Sequence, residues 1–518
     1  MANLTLETLE TWLWDSADIL RGSIDSSDYK NYIFGLLFLK RVNDVFEEEV
    51  ETVMERENLS REDAEDETYF FVPPEARWDR LKTKTENIGE ALDKAFAAIE
   101  RENPSLENVL TATKYGDKEV LADETLQSLL RHFNKYSLKN QDLYKPDILG
   151  DAYEYLIKMF ADAAGKKGGE FYTPKGVVKL IVGLIKPEPG NTVYDPTVGS
   201  GGMLIESARY VAKQPKGMQG NHVNISLYGQ EKNLGTWAIS KLNMILHNYT
   251  DADIQKGDTL TNPKHKSSKT DLSHFNRVIA NPPFSQNKWW APAENNVEKK
   301  IDKNGKEKEI APKYNKEVSD PFGRFHFGIP PRGYADLAFL QHMISVLKQN
   351  GRLGVILPHG TLFRGNTEGK IRKKIIQDDL IEGIVGLPPA LFYNTGIPAS
   401  IWILNKKKPD HLKNTLKIID ASRQYKEGRN QNELLDEHID KIVQAYDEEQ
   451  DVDKFTRLVD MGEVTKNDYN LNISRYIDTT EPEPEVDLVS VRKEINQLEE
   501  NEKEIDARLN QYLEELGL

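Results

Sequence analysis

Apolar residues recur every three or four positions through the first 150 residues, with acidic stretches between them. Leu6, Leu9 and Leu13 begin this spacing, and it continues from Tyr29 to Phe46. A period close to 3.6 places apolar side chains on one face of a helix. The pattern predicts a helical bundle over residues 1–150 that carries no chemistry of its own and could cover one side of a substrate.

From 151 to 410, short apolar runs alternate with longer helical stretches. This alternation predicts an α/β domain with a mostly parallel sheet and helices on both faces. Ligands of such sheets bind beyond the carboxyl ends of the strands. The predicted strands are Thr192–Tyr194, Ser226–Gly229, Arg277–Ala280, Arg352–Leu357, Ile381–Gly386 and Ser400–Leu404, with another short one before Gly257. The predicted helices between them are Gly202–Lys213, Leu234–His247, Leu337–Gln349 and Lys370–Asp378.

Two further segments are predicted after the α/β region: an α-rich extension over 411–480 and an amphipathic helix over 481–518. The second opens with a stiff acidic linker, Glu481–Pro484, and apolar residues then follow at three-four spacing from Leu488 to Leu516. Only Glu502 interrupts this stripe. An exposed stripe of this length favours a partner helix, although the segment could also fold back on its own domain.

The pattern breaks between Gln286 and Arg332. This segment contains eight lysines, two arginines and seven acidic residues, which gives it a net charge of +3, and it also contains several aromatic residues. A loop this long inside a compact domain is usually functional or disordered. Its charge suits contact with a polyanion, and a solvated insert is the plainer interpretation.

Composition narrows the chemistry. The 518 residues include no cysteine, which excludes disulfides, thiolate metal sites and the cysteine adduct that methylation of cytosine carbon 5 requires. No apolar run approaches the roughly 18 to 20 residues needed to cross a bilayer. The first residues lack the layout of a signal peptide, so a cytoplasmic location without a membrane is expected.

The net charge of −16 is unusual for a protein that binds DNA without a partner, because a DNA-binding surface neutralises phosphates with Lys and Arg. A local basic groove remains compatible with an acidic chain. The net negative charge therefore indicates that another subunit supplies part of the contact with DNA.

Three acidic residues lie at the ends of predicted strands. Asp195 ends one strand and is followed by a glycine-rich turn through Gly202, where a ligand can approach the backbone. No Gly-Lys-Ser/Thr follows this turn, which disfavours a phosphate-binding loop. Glu231 ends the next strand, where a carboxylate can accept hydrogen bonds from both hydroxyls of a ribose or interact with the dipole of the next helix. Asp258 follows a third strand and is placed to accept from an adenine amino group.

The most specific pattern is Asn281-Pro282-Pro283-Phe284 at the end of an apolar strand. The residue before a proline is held extended, so the Asn281 side chain and nearby carbonyls form a rigid pair of acceptors. Two acceptors on an exocyclic amine free its lone pair to attack a sulfonium methyl group. The ring of Phe284 can stack on a base flipped out of the duplex, which returns about 1–3 kcal/mol against a flipping cost of a few kcal/mol.

These motifs, in this order, resemble those of amino-directed DNA methyltransferases. With the helical N-terminal region and the apolar tail, the whole chain is similar to the modification (M) subunits of type I restriction-modification systems. Its turn after Asp195 reads Asp-Pro-Thr-Val-Gly-Ser-Gly-Gly, a small departure from the usual Ala-Cys/Ala-Gly-Thr. The resemblance implies a Rossmann-like methyltransferase domain with a mostly parallel seven-stranded sheet, an N-terminal helical domain and a C-terminal helical tail.

The resemblance also implies S-adenosylmethionine as cofactor and N6 of a flipped adenine in double-stranded DNA as the methyl acceptor. It implies a specificity (S) subunit shared by two M subunits, which a restriction (R) subunit can join. The implied cofactor-binding residues are Glu170, Phe171, Tyr172, Thr173, Pro174, Lys175, Asp195, Gly199, Ser200, Gly201, Glu231 and Asp258. The implied catalytic residues are Asn281, Pro282, Pro283 and Phe284, and no metal is implied.

Other functions remain open at this point. Asn-Pro-Pro-aromatic turns also serve methyltransferases that act on RNA amines, on a protein glutamine amide or on N4 of cytosine. A mainly structural subunit that positions a partner on DNA is a further alternative. The N-terminal helical bundle and the amphipathic helix over 481–518 favour a type I modification subunit over these alternatives.

Overall fold

The computed structural model of the chain describes residues 4–25, 28–145, 147–163, 172–220, 222–290, 298–301, 307–310, 320–392, 398–429, 431–448, 450–479 and 487–518. Contacts divide the chain into two compact units, Met1–Ile477 and Asp478–Leu518. Within these described residues, no helix is both long and apolar enough to span a membrane.

The first unit begins with helices, as the spacing of its apolar residues predicts. Thr5 caps the first helix by accepting a hydrogen bond from the Thr8 N–H at 3.4 Å, which satisfies a backbone group that the helix leaves free. The helices here are α1 (Leu6–Leu20), α2 (Tyr29–Glu57), α3 (Arg61–Glu65), α4 (Trp78–Leu81), α5 (Ile88–Glu102) and α6 (Asp123–Phe133). Single 3-10 turns lie at Pro74–Ala76, Pro104–Leu106 and Asn140–Asp142.

These helices share a core with the region that follows. The ring of Phe34 in α2 lies 4.0 Å from the ring of Tyr153, measured between centroids. The Tyr153 hydroxyl donates to the backbone oxygen of Ile239 at 3.2 Å. Buried side chains of both regions form one continuous apolar cluster. The N-terminal helices are therefore packed against the α/β region within the same unit.

The remaining helices are distributed along the α/β region and the tail. They are α7 (Ile148–Ala163), α8 (Lys175–Ile185), α9 (Gly202–Ala212), α10 (Leu234–Leu246), α11 (Asp336–Ser345), α12 (Asn366–Gln377), α13 (Asp436–Asp447), α14 (Met461–Lys466) and α15 (Leu488–Glu515). Further 3-10 turns lie at His359–Leu362, Asp410–Leu412 and Ile473–Arg475.

The main sheet has nine strands in the order β13-β12-β10-β11-β9-β6-β1-β4-β5. The five from β9 to β5 run parallel, whereas β11 is antiparallel to both of its neighbours and β13 to β12. These strands are β1 (Asn191–Asp195), β4 (Ile225–Glu231), β5 (Asp253–Lys256), β6 (Phe275–Ala280), β9 (Leu347–Pro358), β10 (Ile381–Gly386), β11 (Ala399–Asn405), β12 (Thr415–Asp420) and β13 (Thr456–Asp460). Two small hairpins pair β2 (Met218–Gln219) with β3 (His222–Val223) and β7 (Glu298–Ile301) with β8 (Glu307–Ile310).

Both faces of this sheet are covered. Successive side chains of a strand point to opposite faces. In β11, Ile401 and Ile403 join the core shared with the N-terminal helices, whereas Trp402 and Leu404 join a second core that includes residues of α11 and α12. The predicted α/β fold with a mostly parallel sheet is confirmed, and the doubly covered strands explain why their sequences read as continuous apolar runs.

One detail of the prediction is wrong, because the sheet has nine strands instead of seven. Two of these strands, β12 and β13, lie within the segment 411–480, which also contains α13 and α14. Lys417 interrupts the apolar run of β12. Its ammonium group donates to the backbone oxygens of Glu448 and Gln450 at 2.7 and 3.1 Å, so the lysine stem can be buried in the strand.

The helix predicted over Leu337–Gln349 is shorter in the structure. It ends at Ser345, and β9 begins at Leu347. A strand of twelve residues beside β6 therefore starts inside the apolar run that looked helical. Pairing with a neighbouring strand overrides the local period here.

The second unit contains α15. Its N-cap, Asp487, accepts hydrogen bonds from the Val489 and Ser490 N–H groups at 3.0 and 3.3 Å. Its apolar stripe is exposed from Val491 to Leu516, with Leu498 at 63% and Leu509 at 52%. The predicted amphipathic helix is present, while its linker at 481–486 lies outside the described residues.

Candidate cofactor and catalytic site

Four of the predicted site residues lie at the carboxyl ends of neighbouring parallel strands. Asp195 ends β1, Glu231 ends β4, Asp258 lies two residues beyond β5, and Asn281 directly follows β6. The sheet order places these strands side by side as β6-β1-β4-β5. At about 4.8 Å per strand, the four ends span roughly 14 Å along one edge. One extended ligand can therefore lie along this edge and meet all four.

Asp195 is almost fully buried and accepts a hydrogen bond from the Thr197 N–H at 2.9 Å. Burial raises the pKa of this carboxyl group to about 8, against the lowering effect of that N–H, and the charge of Glu231 adds to the rise. Without a cationic ligand the group therefore holds its proton at neutral pH. A positively charged ligand nearby would favour the ionised form.

Glu231 connects two turns at this edge. Its Oε2 accepts from the Gly199 N–H at 3.2 Å, and its Oε1 accepts from the Asn233 N–H at 2.9 Å. Burial raises its pKa, and these backbone N–H groups lower it. Each carboxylate oxygen has further acceptor capacity. The residue is thus fixed by backbone contacts while it still lines the cleft.

The glycine-rich turn depends on left-handed backbone at Gly199 and Gly201, with φ of 54° and 90°. A Cβ atom on Gly201 would lie 2.3 Å from the terminal methyl carbon of Met244. The left-handed backbone favours glycine at this position, and an added Cβ would also displace the end of the Met244 side chain. Asn243 holds the same turn from α10, since its Nδ2 donates to the Ser200 carbonyl oxygen at 2.8 Å.

Asp258 lies at the other end of the edge. Its Oδ1 accepts from the Leu260 N–H at 3.0 Å, and its Oδ2 pairs with the Lys232 ammonium at 2.8 Å. The guanidinium of Arg324 holds this turn from below by donating to the backbone oxygens of Thr259 and Leu260 at 3.0 and 2.6 Å. Sequence reasoning missed Arg324.

Asn281 is oriented by a contact from a distant part of the chain. Its Nδ2 donates to the hydroxyl oxygen of Thr173 at 2.9 Å. Its Oδ1 is buried and has no hydrogen-bond partner among the described residues. A buried acceptor without a partner costs stability unless a ligand or a water supplies a donor. The Asn281 amide is therefore held in place by Thr173, and no described residue uses its Oδ1 as an acceptor.

The residues after Asn281 are held just as firmly. The Phe284 ring meets the Phe392 ring edge to face, with 5.6 Å between centroids. Ser285 has left-handed backbone, with φ of 53°, and its N–H donates to Asp336 Oδ1 at 2.8 Å. Arg364 pairs with the other oxygen of Asp336 at 3.1 Å. Asp336 and Arg364 were not singled out from the sequence, because they lie 51 and 79 residues beyond Ser285.

Two cavities meet at this edge and share Thr197 and Asn281. Cavity A lies at the glycine-rich turn, and cavity B, of about 910 Å³, lies over Glu231 and Asp258. Cavity A is lined by Glu154, Ile157, Tyr172, Thr173, Lys175, Val178, Asp195, Thr197, Val198, Gly199, Ser200, Gly202, Met203, Glu206 and Asn281. Cavity B includes Glu231, Asp258, Leu260, Asn281, Pro283, Phe284, Trp289 and Phe339.

Most predicted site residues therefore meet in one cleft. Pro174 instead precedes α8 and lines a neighbouring cavity, and Pro282 is buried beneath the turn. Glu170 and Phe171 lie outside the described residues. Trp289 and Phe339 belong to an apolar cluster with Leu260, so part of the 286–332 segment forms a wall of the cleft. The predicted polyanion contact of that segment stays a prediction.

The donor and acceptor pattern of the cleft fits S-adenosylmethionine. Glu231 offers oxygens for a ribose diol, and Asp258 offers them for an amino group of a base. Leu260, Trp289 and Phe339 supply the apolar surface that a purine ring needs. A cavity of about 910 Å³ is within the usual range for such ligands. The acidic edge suits a ligand with positive charge.

Comparison with known protein families gives two matches. The profile described as N-6 DNA Methylase matches residues 144–485, and the HsdM N-terminal domain matches residues 9–133. The chain therefore belongs to the N-6 DNA methylase family, a class of DNA methyltransferases, and within it to the type I restriction enzyme methylase subunits. The alternatives of cytosine N4, RNA or protein methylation are not favoured, and the predicted resemblance is confirmed.

Individual relatives agree with this assignment. The type I restriction enzyme MjaVIII methylase subunit of Methanocaldococcus jannaschii is 35% identical, over 98% of this chain and 84% of that protein. The HindI methylase subunit of Haemophilus influenzae is 33% identical, over 80% of this chain and 91% of that protein. The crystal structure of the type I restriction-modification methyltransferase subunit from Streptococcus thermophilus has a TM-score of 0.75 and 32% identity, over 92% of this chain and all of that one.

Proposed function

We propose that this chain transfers the methyl group of S-adenosylmethionine to N6 of an adenine flipped out of double-stranded DNA, with Asn281 as the residue that activates the amine. The bound cofactor supplies an electrophilic methyl group on a sulfonium. Glu231 holds the ribose hydroxyls, Asp258 the adenine amino group, and the turn from Gly199 to Gly201 the methionine portion. Tyr172, Thr173 and Lys175, which line cavity A, also bind the cofactor. The same role is proposed for Glu170 and Phe171, which lie outside the described residues.

The observation that carries the proposal is the buried, unpartnered Oδ1 of Asn281. Thr173 engages the Nδ2 side of the amide, which leaves Oδ1 as the atom that would accept from a substrate amine. The oxygen accepts one N6–H, and the carbonyl oxygen of a residue in the same turn can accept the other. The freed lone pair could then attack the methyl group of a bound cofactor, which would leave as the thioether once its carbon–sulfur bond broke, and a proton of the amine would pass to solvent.

Phe284 provides the surface for the flipped base. Its ring is half-buried and is held edge to face by Phe392. Stacking on such a ring contributes about 1–3 kcal/mol, comparable to the few kcal/mol that flipping costs. The Ser285–Asp336–Arg364 contacts keep the ring in place. Pro282 and Pro283 restrict the backbone between the acceptor and the ring.

Replacement of Asn281 with Ala tests the mechanism. Transfer of a tritiated methyl group to duplex DNA is measured in the assembled complex, together with cofactor affinity by calorimetry. We expect kcat to fall about 100- to 1000-fold, the range for removal of one preorganised hydrogen-bonding group from a transition state, with cofactor affinity within about twofold.

Asn262→Ala is the matched control, because that side chain is exposed and lies outside the lining of both cavities. It should leave kcat unchanged. Full activity of the Asn281→Ala enzyme would refute the mechanism. Label in RNA or protein instead of DNA would refute the substrate.

We also propose that the chain works in a complex in which two copies share one specificity subunit, which a restriction subunit can join. Its net charge of −16 supports a partner that supplies part of the DNA contact and chooses the DNA sequence. We propose residues 1–150 as a helical domain that covers one side of the DNA, and a catalytic domain that runs from 151 past 410 to include β12 and β13. The α15 stripe is proposed to bind a helix of the specificity subunit.

The tail is tested with Leu498→Ser and Leu509→Ser together, measured as co-purification with the specificity subunit. We expect weaker association, because both side chains lie on the exposed apolar stripe. The control replaces Asn496 and Gln511, which helical spacing places on the opposite face, with Ser. Equal association of both double variants would contradict this role of the tail, as would full association of a chain that ends before Glu481.

A further inference from the structure

A largely buried carboxylate, Glu154 of α7, lies in the wall of cavity A and has no role in the site described above. Its side chain is 17% exposed. It lines the cavity together with Tyr172, Lys175 and Gly199. It also lies 37 residues before Asn191, the first residue of β1, so its place beside the glycine-rich turn arises from the packing of α7.

The cations around Glu154 do not satisfy it closely. Arg209 Nη1 is 3.5 Å from Oε2, and the Lys175 ammonium is 3.8 Å from the same atom. Arg209 instead donates at 2.6 Å to Asp151. Optimal charge-assisted N–H···O bonds measure about 2.7–2.9 Å. Glu154 therefore keeps acceptor capacity for a cation that enters the cavity.

His247 does not neutralise this carboxylate either. Its Nε2 is buried without a hydrogen-bond partner in the described part of the chain and lies 3.9 Å from Glu154 Oε1. Burial holds the pKa of His247 well below its ordinary value, and the charges of Arg209 and Lys175 lower it further. The ring is therefore neutral. Burial also raises the pKa of Glu154, as expected for a carboxyl group short of close donors.

The order of the strands indicates which part of the cofactor reaches cavity A. Asp258 beyond β5 and Glu231 at the end of β4 take the adenine and the ribose. The next strand in the sheet is β1, followed by the glycine-rich turn and cavity A. The remaining part of S-adenosylmethionine is its methionine portion, which ends in an α-ammonium and an α-carboxylate group. Cavity A holds an acid and a base, Glu154 and Lys175, side by side.

We propose that Glu154 binds the α-ammonium group of the cofactor and Lys175 its α-carboxylate, so that the pair recognises the amino-acid end of S-adenosylmethionine. This inference rests on the proposed use of that cofactor. The ammonium supplies the close donors that Glu154 lacks, and the carboxylate meets Lys175, which lines the same cavity and is half-exposed.

The test compares two ligands by calorimetry. S-adenosylhomocysteine carries the amino-acid end, and methylthioadenosine lacks it but keeps the adenosine and the thioether. For Glu154→Gln we expect affinity for S-adenosylhomocysteine to fall about 10- to 100-fold, the range for one hydrogen bond to a charged group, and affinity for methylthioadenosine to stay within about twofold. Decarboxylated S-adenosylhomocysteine keeps the ammonium group but lacks the carboxylate. Its affinity should therefore be lower for Glu154→Gln than for the unaltered protein, and unchanged for Lys175→Met.

Asp151→Asn is the matched control, since it removes a carboxylate from the same Arg209 group without lining cavity A. It should leave both affinities unchanged. An equal loss for both ligands in Glu154→Gln, or no loss for either, overturns the proposal. A selective loss in Glu206→Gln instead of Glu154→Gln also overturns it, because Glu206 lines the same cavity. Failure of the unaltered protein to bind either ligand would instead reject the proposed cofactor.

Discussion

Replacement of Arg324 with Met is expected to weaken both the fold and the cofactor site. The side chain is 1% exposed. Its guanidinium donates to the backbone oxygens of Thr259 and Leu260, pairs with Asp320 at 2.9 Å, and lies 3.2 Å from His342 Nδ1. The burial of His342 and the charge of Arg324 hold the pKa of that imidazole well below its usual value, so the ring can accept.

The size of the effect follows from what the variant leaves behind. Asp320 is 6% exposed and would remain as a buried charge without its partner. Removal of one member of a buried pair costs about 3–5 kcal/mol of unfolding free energy. Leu260 lines cavity B, and its N–H binds Asp258, so a loosened turn also shifts the acceptor proposed for the cofactor's adenine. The loss of about one hydrogen bond there corresponds to a roughly tenfold weaker cofactor affinity.

Urea unfolding followed by tryptophan fluorescence measures the first effect, and calorimetry measures the second. The double variant Arg324→Met, Asp320→Leu removes the stranded charge and should recover at least about 2 kcal/mol of unfolding free energy, since replacing both members of a buried pair by apolar residues is often nearly neutral. It should not restore cofactor affinity, because the Thr259 and Leu260 oxygens still lack their donor. An Arg324→Met protein with unchanged stability and affinity would refute this reasoning.

Two further predictions concern the glycine-rich edge of the site. Burial raises the pKa of Asp195 to about 8. Between about pH 4 and 8 the folded chain therefore holds a proton on this group that the unfolded chain has released. The free energy of unfolding should then fall as the pH rises, by up to about 1.4 kcal/mol per pH unit. Affinity for the cationic cofactor should rise with pH over the upper part of this range, because Asp195 becomes charged, whereas affinity for neutral methylthioadenosine should not. The Asp195→Asn variant should show no such difference between the two ligands. A cofactor affinity that calorimetry finds independent of pH in the unaltered protein would contradict this. Gly201→Ala should lower the melting temperature, because alanine in left-handed backbone costs about 1–2 kcal/mol and its Cβ meets Met244. Gly202→Ala, with nothing within 4 Å of the added carbon, should not lower it, and equal melting temperatures for both variants would count against the assignment.

The local patterns of the sequence predicted the elements of the fold closely. Ile381–Gly386 matches β10 residue for residue, and most other predicted strands differ by a few residues at their ends. They failed where a contact with another element overrides the local pattern. The start of β9 has a helical pattern, but it pairs with β6 as a strand. The strand β12 contains Lys417, whose ammonium group donates to carbonyl oxygens more than 30 residues away.

By itself the sequence determined the α/β class, the amphipathic tail, the exclusion of cysteine chemistry and the acids and amide at the strand ends, because each depends on residue type and local spacing alone. Only the tertiary structure decided the order β6-β1-β4-β5 that lays those residues along one edge, since strand order depends on crossovers between distant segments. It also decided the contact from Thr173 to Asn281, the support of Arg324 under the Asp258 turn and the place of Glu154 in cavity A. These contacts join residues about 65 to 108 positions apart or, for Glu154, depend on helix packing, and no local period carries that information.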